Sequence, residues 1–130
     1  MTFFERYFER LDGPDPHSAL ELVAEDVQFS IQWAASGDRR SSQFLGGLEE
    51  LRGFTDAGDM EGWAHHVLWS GTDDDVEFAL GETRWDESGE RIGTFLAVAQ
   101  LDGDGRMCRY MVTRTPALAF PTERGDARPT

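Results

Sequence analysis

Lysine is absent from this chain, and all twelve of its positive side chains are arginine. They are outnumbered by twenty-five acids, which leaves a formal net charge of −13. Such a chain repels nucleic acid and anionic membranes, so neither is expected as a partner. Lysine's absence is compatible with codon bias or a halophilic source and points to no function. Cysteine is nearly absent too. One thiol, Cys108, excludes an internal disulfide and fits a reducing cytoplasm. In the alternating run "RMCRYMV" it is expected to be a packed core thiol, with no metal set around it. No apolar run approaches a membrane span. The opening "MTFFERYFERLDG" is interrupted by charge and does not read as a signal peptide. Internal repeats and low-complexity blocks are also lacking.

Aromatic residues, by contrast, are plentiful. Nine Phe and four Trp in 130 residues supply one domain with a real core. Phe3, Phe4, Tyr7, Phe8 and Leu11 form one helical stripe, with Glu5, Arg6, Glu9 and Arg10 on the wet side. "DGPDP" breaks that helix. Asp15 and Pro16 can open a second, to about Ala24, with Ala19, Leu20 and Val23 inward. In "EDVQFSIQW" the period changes to two, and Val27, Phe29, Ile31 and Trp33 share a face. "AASGDRRSSQF" reads as a polar loop. A third helix follows in "GGLEELRGFTDAG", with Leu48, Leu51 and Phe54 at helical spacing and Gly58 at its end. Strands are predicted near Trp63–Ser70, Val76–Trp85, Arg91–Leu101 and Arg106–Arg114. Hairpin turns "GTDDD", "DESGE" and "DGDG" join them. Helices at the front and antiparallel strands behind predict an α+β fold over residues 1–115. Residues 116–130 read as a flexible tail, disordered after about Phe120.

Three stretches carry a resemblance. They are "FFERYFERLDGPDPHSALELVAEDVQF", the Gly-led helix "FLGGLEELRGF", and "LAVAQLDGDGRMCRYMV", two strands about a tight Gly turn. In their order and spacing, over roughly residues 3 to 115, the chain resembles the nuclear transport factor 2-like superfamily. That group includes SnoaL-like polyketide cyclases and ketosteroid isomerases. The resemblance implies a cone: a curved antiparallel sheet around the N-terminal helices, with a pocket at the wide end. It also implies a homodimer through the outer face of the sheet. The fold does not choose among the superfamily's isomerases, cyclases, dehydratases, epoxide hydrolases and non-catalytic binders.

Site residues narrow the choice. The resemblance places the ketosteroid isomerases' enolate-binding tyrosine at Tyr7. Their base falls at Ile31, beside Gln32, and their second acid near Ala97. Neither position holds an acid, so a steroid-isomerase mechanism is rejected. The epoxide hydrolases' Asp–Arg–Asp set is matched poorly by Glu82 and Arg84. A dehydratase-like set of one histidine with Tyr7 and Tyr110 agrees better in residue types.

Neighbours on a strand point to opposite faces, so His65 and His66 cannot both enter a pocket. If Phe78 and Leu80 mark the inner face, then His65, Val67 and Trp69 face inward and His66 outward. A slip of one residue would exchange them. An inward histidine can act as acid, base or donor near neutral pH, or serve as a satisfied wall residue. Glu82 and Arg84 share the face of Val76, Phe78 and Leu80, either at a pocket mouth or as a rim ion pair. Arg114 shares a face with Tyr110 and Val112. Pointing inward, it would favour an anionic or carbonyl-rich ligand. Phe29, Ile31, Trp33, Phe78 and Ala97 would form apolar walls, with Gly93, Ala97 and Ala99 leaving volume or large aromatics filling it. The aspartates of "GTDDD" fit a solvated turn, and no phosphate loop, zinc spacing or dinucleotide fingerprint is present.

The functional expectation is therefore a cofactor-free and metal-free cyclase, isomerase or dehydratase. Its substrate would be a small apolar cyclic or polyketide-like molecule. Tyr7, His65 and Tyr110 would do the chemistry; Glu82, Arg84 and Arg114 would polarise or gate. The alternative is a non-catalytic binding or dimerisation module. Both would be cytoplasmic homodimers.

Overall fold

The computed structural model describes residues 2–33, 43–57 and 62–121. Helix α1 spans Phe3–Leu11 and begins in a capping box. Thr2 Oγ1 accepts the Glu5 N–H at 3.2 Å, and the Glu5 carboxylate accepts the Thr2 N–H at 3.0 Å. Its stripe is buried as the spacing predicts, with Phe3, Phe4, Tyr7 and Phe8 each at most 3% exposed. Each such ring stabilises the fold by about 1.5–3 kcal/mol. Asp12 caps the C-terminus.

The second predicted helix is a 3₁₀ helix, Pro16–Leu22. It ends two residues earlier than expected, because Val23 is already extended and opens strand β1, Val23–Trp33. Strand β2, Gln43–Gly46, pairs antiparallel with β1 and begins within the stretch expected to be a polar loop. Gly46 turns the chain from β2 into α2, Leu48–Ala57, at φ +148°. A Cβ there would meet Glu50 at 2.5 Å. Residues 34–42 of that loop and Gly58 lie outside the described residues.

Strands β3 (Trp63–Asp73), β4 (Val76–Trp85), β5 (Arg91–Leu101) and β6 (Met107–Thr115) form an antiparallel meander. The sheet order is β2-β1-β6-β5-β4-β3. One pairing departs from the antiparallel expectation: β1 runs parallel to β6, joining the two ends of the chain. The α+β cone is thus a six-stranded mixed curved sheet with the N-terminal helices packed on it.

The concave face follows from the ladder. Phe29 and Ile31 lie beside Tyr110 and Val112, which pair with Ala99 and Ala97. Ala97 pairs in turn with Ala79, and Phe95 with Gly81. Except for Gly81, these residues belong to the core, together with the α1 aromatics, Ala19, Val23, Val27, Leu51 and Met107. Gly81 is required by close approach, since a Cβ there would sit 2.5 Å from the Phe95 ring. Phe8 of α1 meets Phe95 of β5 edge to face at 5.2 Å, and Phe4 and Tyr7 pack on Tyr110.

Two expected faces are corrected. On β4 the inner residues are Glu77, Ala79, Gly81 and Thr83, so Phe78, Glu82 and Arg84 belong to the outer face. Phe78 is 40% exposed and Ala79 fully buried. Ala79 and Gly81 are small because α1 packs on β4 and the Phe95 ring lies against Gly81. On β6 a bulge between Met107 and Arg109 turns Met107 inward and leaves Cys108 half-exposed, its thiol on the Gln100 carbonyl. Cys108 is therefore not a core thiol.

Past β6, residues 116–118 are tied to the sheet. Arg91 donates to the Pro116 carbonyl at 3.1 Å, and the Thr94 hydroxyl donates to the Leu118 carbonyl at 2.5 Å.

Candidate functional site

His65 lies on the concave side of β3, paired with Thr83, while His66 pairs with Glu82 on the outer face. His65 faces inward as expected, although Phe78 and Leu80 mark the outer face and not the inner one. A bulge after Val67 brings Trp69 opposite Leu80, so His65 and Val67 face away from Phe78 and Leu80.

The imidazole of His65 is held on every side. Phe8 stacks on it at 4.2 Å with the rings 6° apart, and Trp63 and Phe95 pack at 5.2 and 5.4 Å. Asp12 takes two bonds from the same residue. Its Oδ2 accepts the His65 backbone N–H at 2.8 Å, and its Oδ1 lies 3.0 Å from Nδ1. On the other edge, Arg114 Nη2 lies 2.8 Å from Nε2. A guanidinium only donates, so Nε2 must accept and Nδ1 must carry the proton it gives to Asp12. His65 is accordingly neutral. Burial lowers its pKa below the ordinary 6.5, and the bond to Asp12 only partly offsets this.

Arg114 leaves β6 on the face of Tyr110 and Val112, and its guanidinium lies over Trp63 at 5.2 Å from the ring centroid. Burial lowers its pKa, Tyr110 and Asp12 raise it, and a guanidinium retains its charge at physiological pH. Tyr7 and Tyr110 meet edge to face at 5.7 Å. Burial raises both phenols, so each retains its proton and remains a donor.

The concave side therefore unites Tyr7, His65, Tyr110 and Arg114 among the predicted residues. Phe29, Ile31 and Ala97 lie buried in the adjoining wall. Phe78, Glu82 and Arg84 are on the opposite face, and the Trp33 side chain lies outside the described residues. Sequence reasoning missed Asp12, the carboxylate that orients the histidine. "LDGPDP" offered only a helix break, although an acid directly after the last apolar residue of the stripe was a usable signal. Among the described residues, no group of three or more His, Cys, Asp or Glu could hold a metal. No helix of the described residues is long and apolar enough to cross a membrane.

No family model matches the sequence, and no curated protein matches it either. Solved structures do match. A candidate isomerase of the SnoaL-like family from Agrobacterium tumefaciens str. C58 superposes with a TM-score of 0.69 at 11% identity, covering 87% of this chain and 94% of its own. IdmH from Streptomyces antibioticus, a candidate polyketide cyclase, gives 0.67 at 15%, covering 86% and 88%. A candidate ketosteroid isomerase from Kribbella flavida DSM 17836 gives 0.66 at 19%, covering 98% and 86%. These likenesses show the fold alone: the chain has the nuclear transport factor 2-like fold. Its structural neighbours are SnoaL-like isomerases, polyketide cyclases and ketosteroid isomerases.

Proposed function

We propose that the concave side binds a small cyclic or polyketide-like molecule and that Arg114 holds its carbonyl or enolate oxygen, without a cofactor. The observation that carries this reading is the chain Asp12–His65–Arg114. It presents a buried cation, oriented by a neutral imidazole, on an apolar wall with two protonated phenols. A fixed positive group in a low-dielectric site stabilises oxyanion charge as it develops. Enolate formation is common to isomerase, cyclase and dehydratase chemistry. When Arg114 turns to the substrate oxygen, it uncovers Nε2 of His65. That nitrogen then takes a proton from the adjacent carbon, with Asp12 stabilising the imidazolium. Tyr7 and Tyr110 donate to the same or a neighbouring oxygen.

A second reading, a non-catalytic binding module, is favoured by one fact. Both oxygens of Asp12 and both nitrogens of His65 are engaged in this arrangement. Turnover separates the two readings. A thermal-shift screen against flat cyclic ketones, phenols and polyketide-like acids comes first, repeated on Arg114→Gln and Tyr7→Phe. A ligand at about a hundred times its Kd adds about 2.7 kcal/mol to stability. A hit weakened by both substitutions supports the site, and its conversion by the wild type decides for catalysis. No shift with any compound, in a protein that folds, overturns the reading.

The same proposal includes a homodimer through the outer face in a reducing, cytoplasmic setting. Trp69, Leu80 and Leu96 form one cross-strand row there, and Phe78, Val98 and Met111 form the next. Met111 is 56% exposed. Contiguous apolar surface of this kind marks an association site. Sedimentation of Met111→Lys against the wild type tests it, with a dimer-to-monomer change expected.

A further inference from the structure

The outer face carries a second feature that the concave site does not use. Beyond the Leu80–Leu96 pair, the next outward residues of β4 and β5 are Glu82 and Thr94, followed by Arg84 opposite Arg91. The segment after β6 crosses above them. A cleft of about 480 Å³ opens there, lined by Glu82, Arg84, Gly89, Arg91 and Ala119–Pro121.

Its charges are unusual for their position. Glu82 is 7% exposed although it lies on the outer side of the sheet. Its Oε1 accepts from Arg84 Nε at 2.9 Å. Arg91 donates through Nη1 to the Thr94 hydroxyl at 3.3 Å and through Nη2 to the Pro116 carbonyl. Like charges directly opposite on a ladder destabilise it. Glu82 neutralises one guanidinium, and the partners of Arg91 are neutral oxygens. The lining thus holds one positive charge in excess, Arg84 and Arg91 against Glu82, in a chain whose net charge is −13. Phe120, Ala119 and Pro121 give the same cleft an apolar side.

We propose that this cleft is a separate binding site for a small organic carboxylate, with its charged end between Arg84 and Arg91 and its apolar body against Phe120. The proposal does not depend on the concave-site reading. A carboxylate accepts the planar donor array of a guanidinium, and a single negative charge balances the cleft. Glu82 limits affinity by repulsion while it holds Arg84 in place.

Benzoate is the probe, titrated by calorimetry into the full chain at low ionic strength. Millimolar or tighter binding is expected. Arg91→Gln and Arg84→Gln should each weaken it by about tenfold or more. Glu82→Gln should strengthen it, and Arg114→Gln should leave it unchanged. Acetate should bind more weakly, because it lacks the body that meets Phe120. If Arg84→Gln fails to fold, with Glu82 left buried and unpaired, Arg91→Gln decides alone. Three results overturn the proposal: no measurable benzoate binding, equal affinity for acetate and benzoate, or binding that is lost in Arg114→Gln and kept in Arg91→Gln. The last would put the anion in the concave site and leave the concave-site proposal standing.

Discussion

Arg114 Nη2 sits 2.8 Å from Nε2 of His65, and this contact decides where the histidine proton resides. A protonated Nε2 would set two donors against each other. The ring is therefore neutral, with its proton on Nδ1 facing Asp12. Nitrogen-15 shifts of the imidazole should report the Nδ1–H tautomer at pH 7. In Arg114→Gln that preference should weaken, because a glutamine amide can donate or accept.

Removing the other partner should be costlier. Asp12→Ala strands the His65 backbone N–H and its ring N–H in a site the Asp12 side chain leaves almost dry. A loss of about 2–4 kcal/mol is expected from two orphaned donors, read by denaturant unfolding. Asp12→Asn retains one acceptor and should lie between the two.

Acid should destabilise the protein through the same residue. The folded pKa of His65 lies below its unfolded value near 6.5, so between the two the unfolded chain binds a proton that the native state refuses. The stabilisation is complete above the unfolded value and declines as pH falls through the window toward the folded one. Unfolding midpoints between pH 7.5 and 5 should show this fall. His65→Gln should flatten it in that window.

Gly81→Ala should cost about 1–3 kcal/mol by overpacking, since the new methyl must displace the Phe95 ring or part β4 from β3. Gly71→Ala offers a matched control on β3, because nothing lies within 4 Å of its Cβ position. Thermal melts of the two variants compare them directly.

At the start of α1, Thr2→Ala removes one half of the capping box and should cost about 1 kcal/mol. Thr2→Ser should retain most of it. The loss should appear as faster amide exchange in the first turn, with the His65 tautomer unchanged.

Much of the architecture was legible in periodicity alone. The stripe from Phe3 to Leu11 appears as α1, and the predicted bounds of β4 and β5 coincide with the observed ones. Short β2 was not legible, because four residues after a polar run carry no period. Nor was the parallel union of β1 with β6, which joins strands far apart in the chain.

Alternation shows that a strand has two faces without saying which one is covered. On β4 the large residues Phe78 and Leu80 invited the wrong choice. Volume already supplied by α1 and Phe95 allows only Ala79 and Gly81 beneath it. The same ambiguity leaves Glu82 and Arg84 open to the concave side by spacing alone, whereas the structure has them at the outer cleft. Fold class, strand positions and the pairing of Tyr110 with Arg114 on one face are local facts, written in spacing, and a linear reading recovers them. The site is not local. Asp12 and Arg114 reach His65 across 53 and 49 residues. Only the closing of the sheet around α1 could choose those partners, because their contact depends on bulge positions and on which face burial selects.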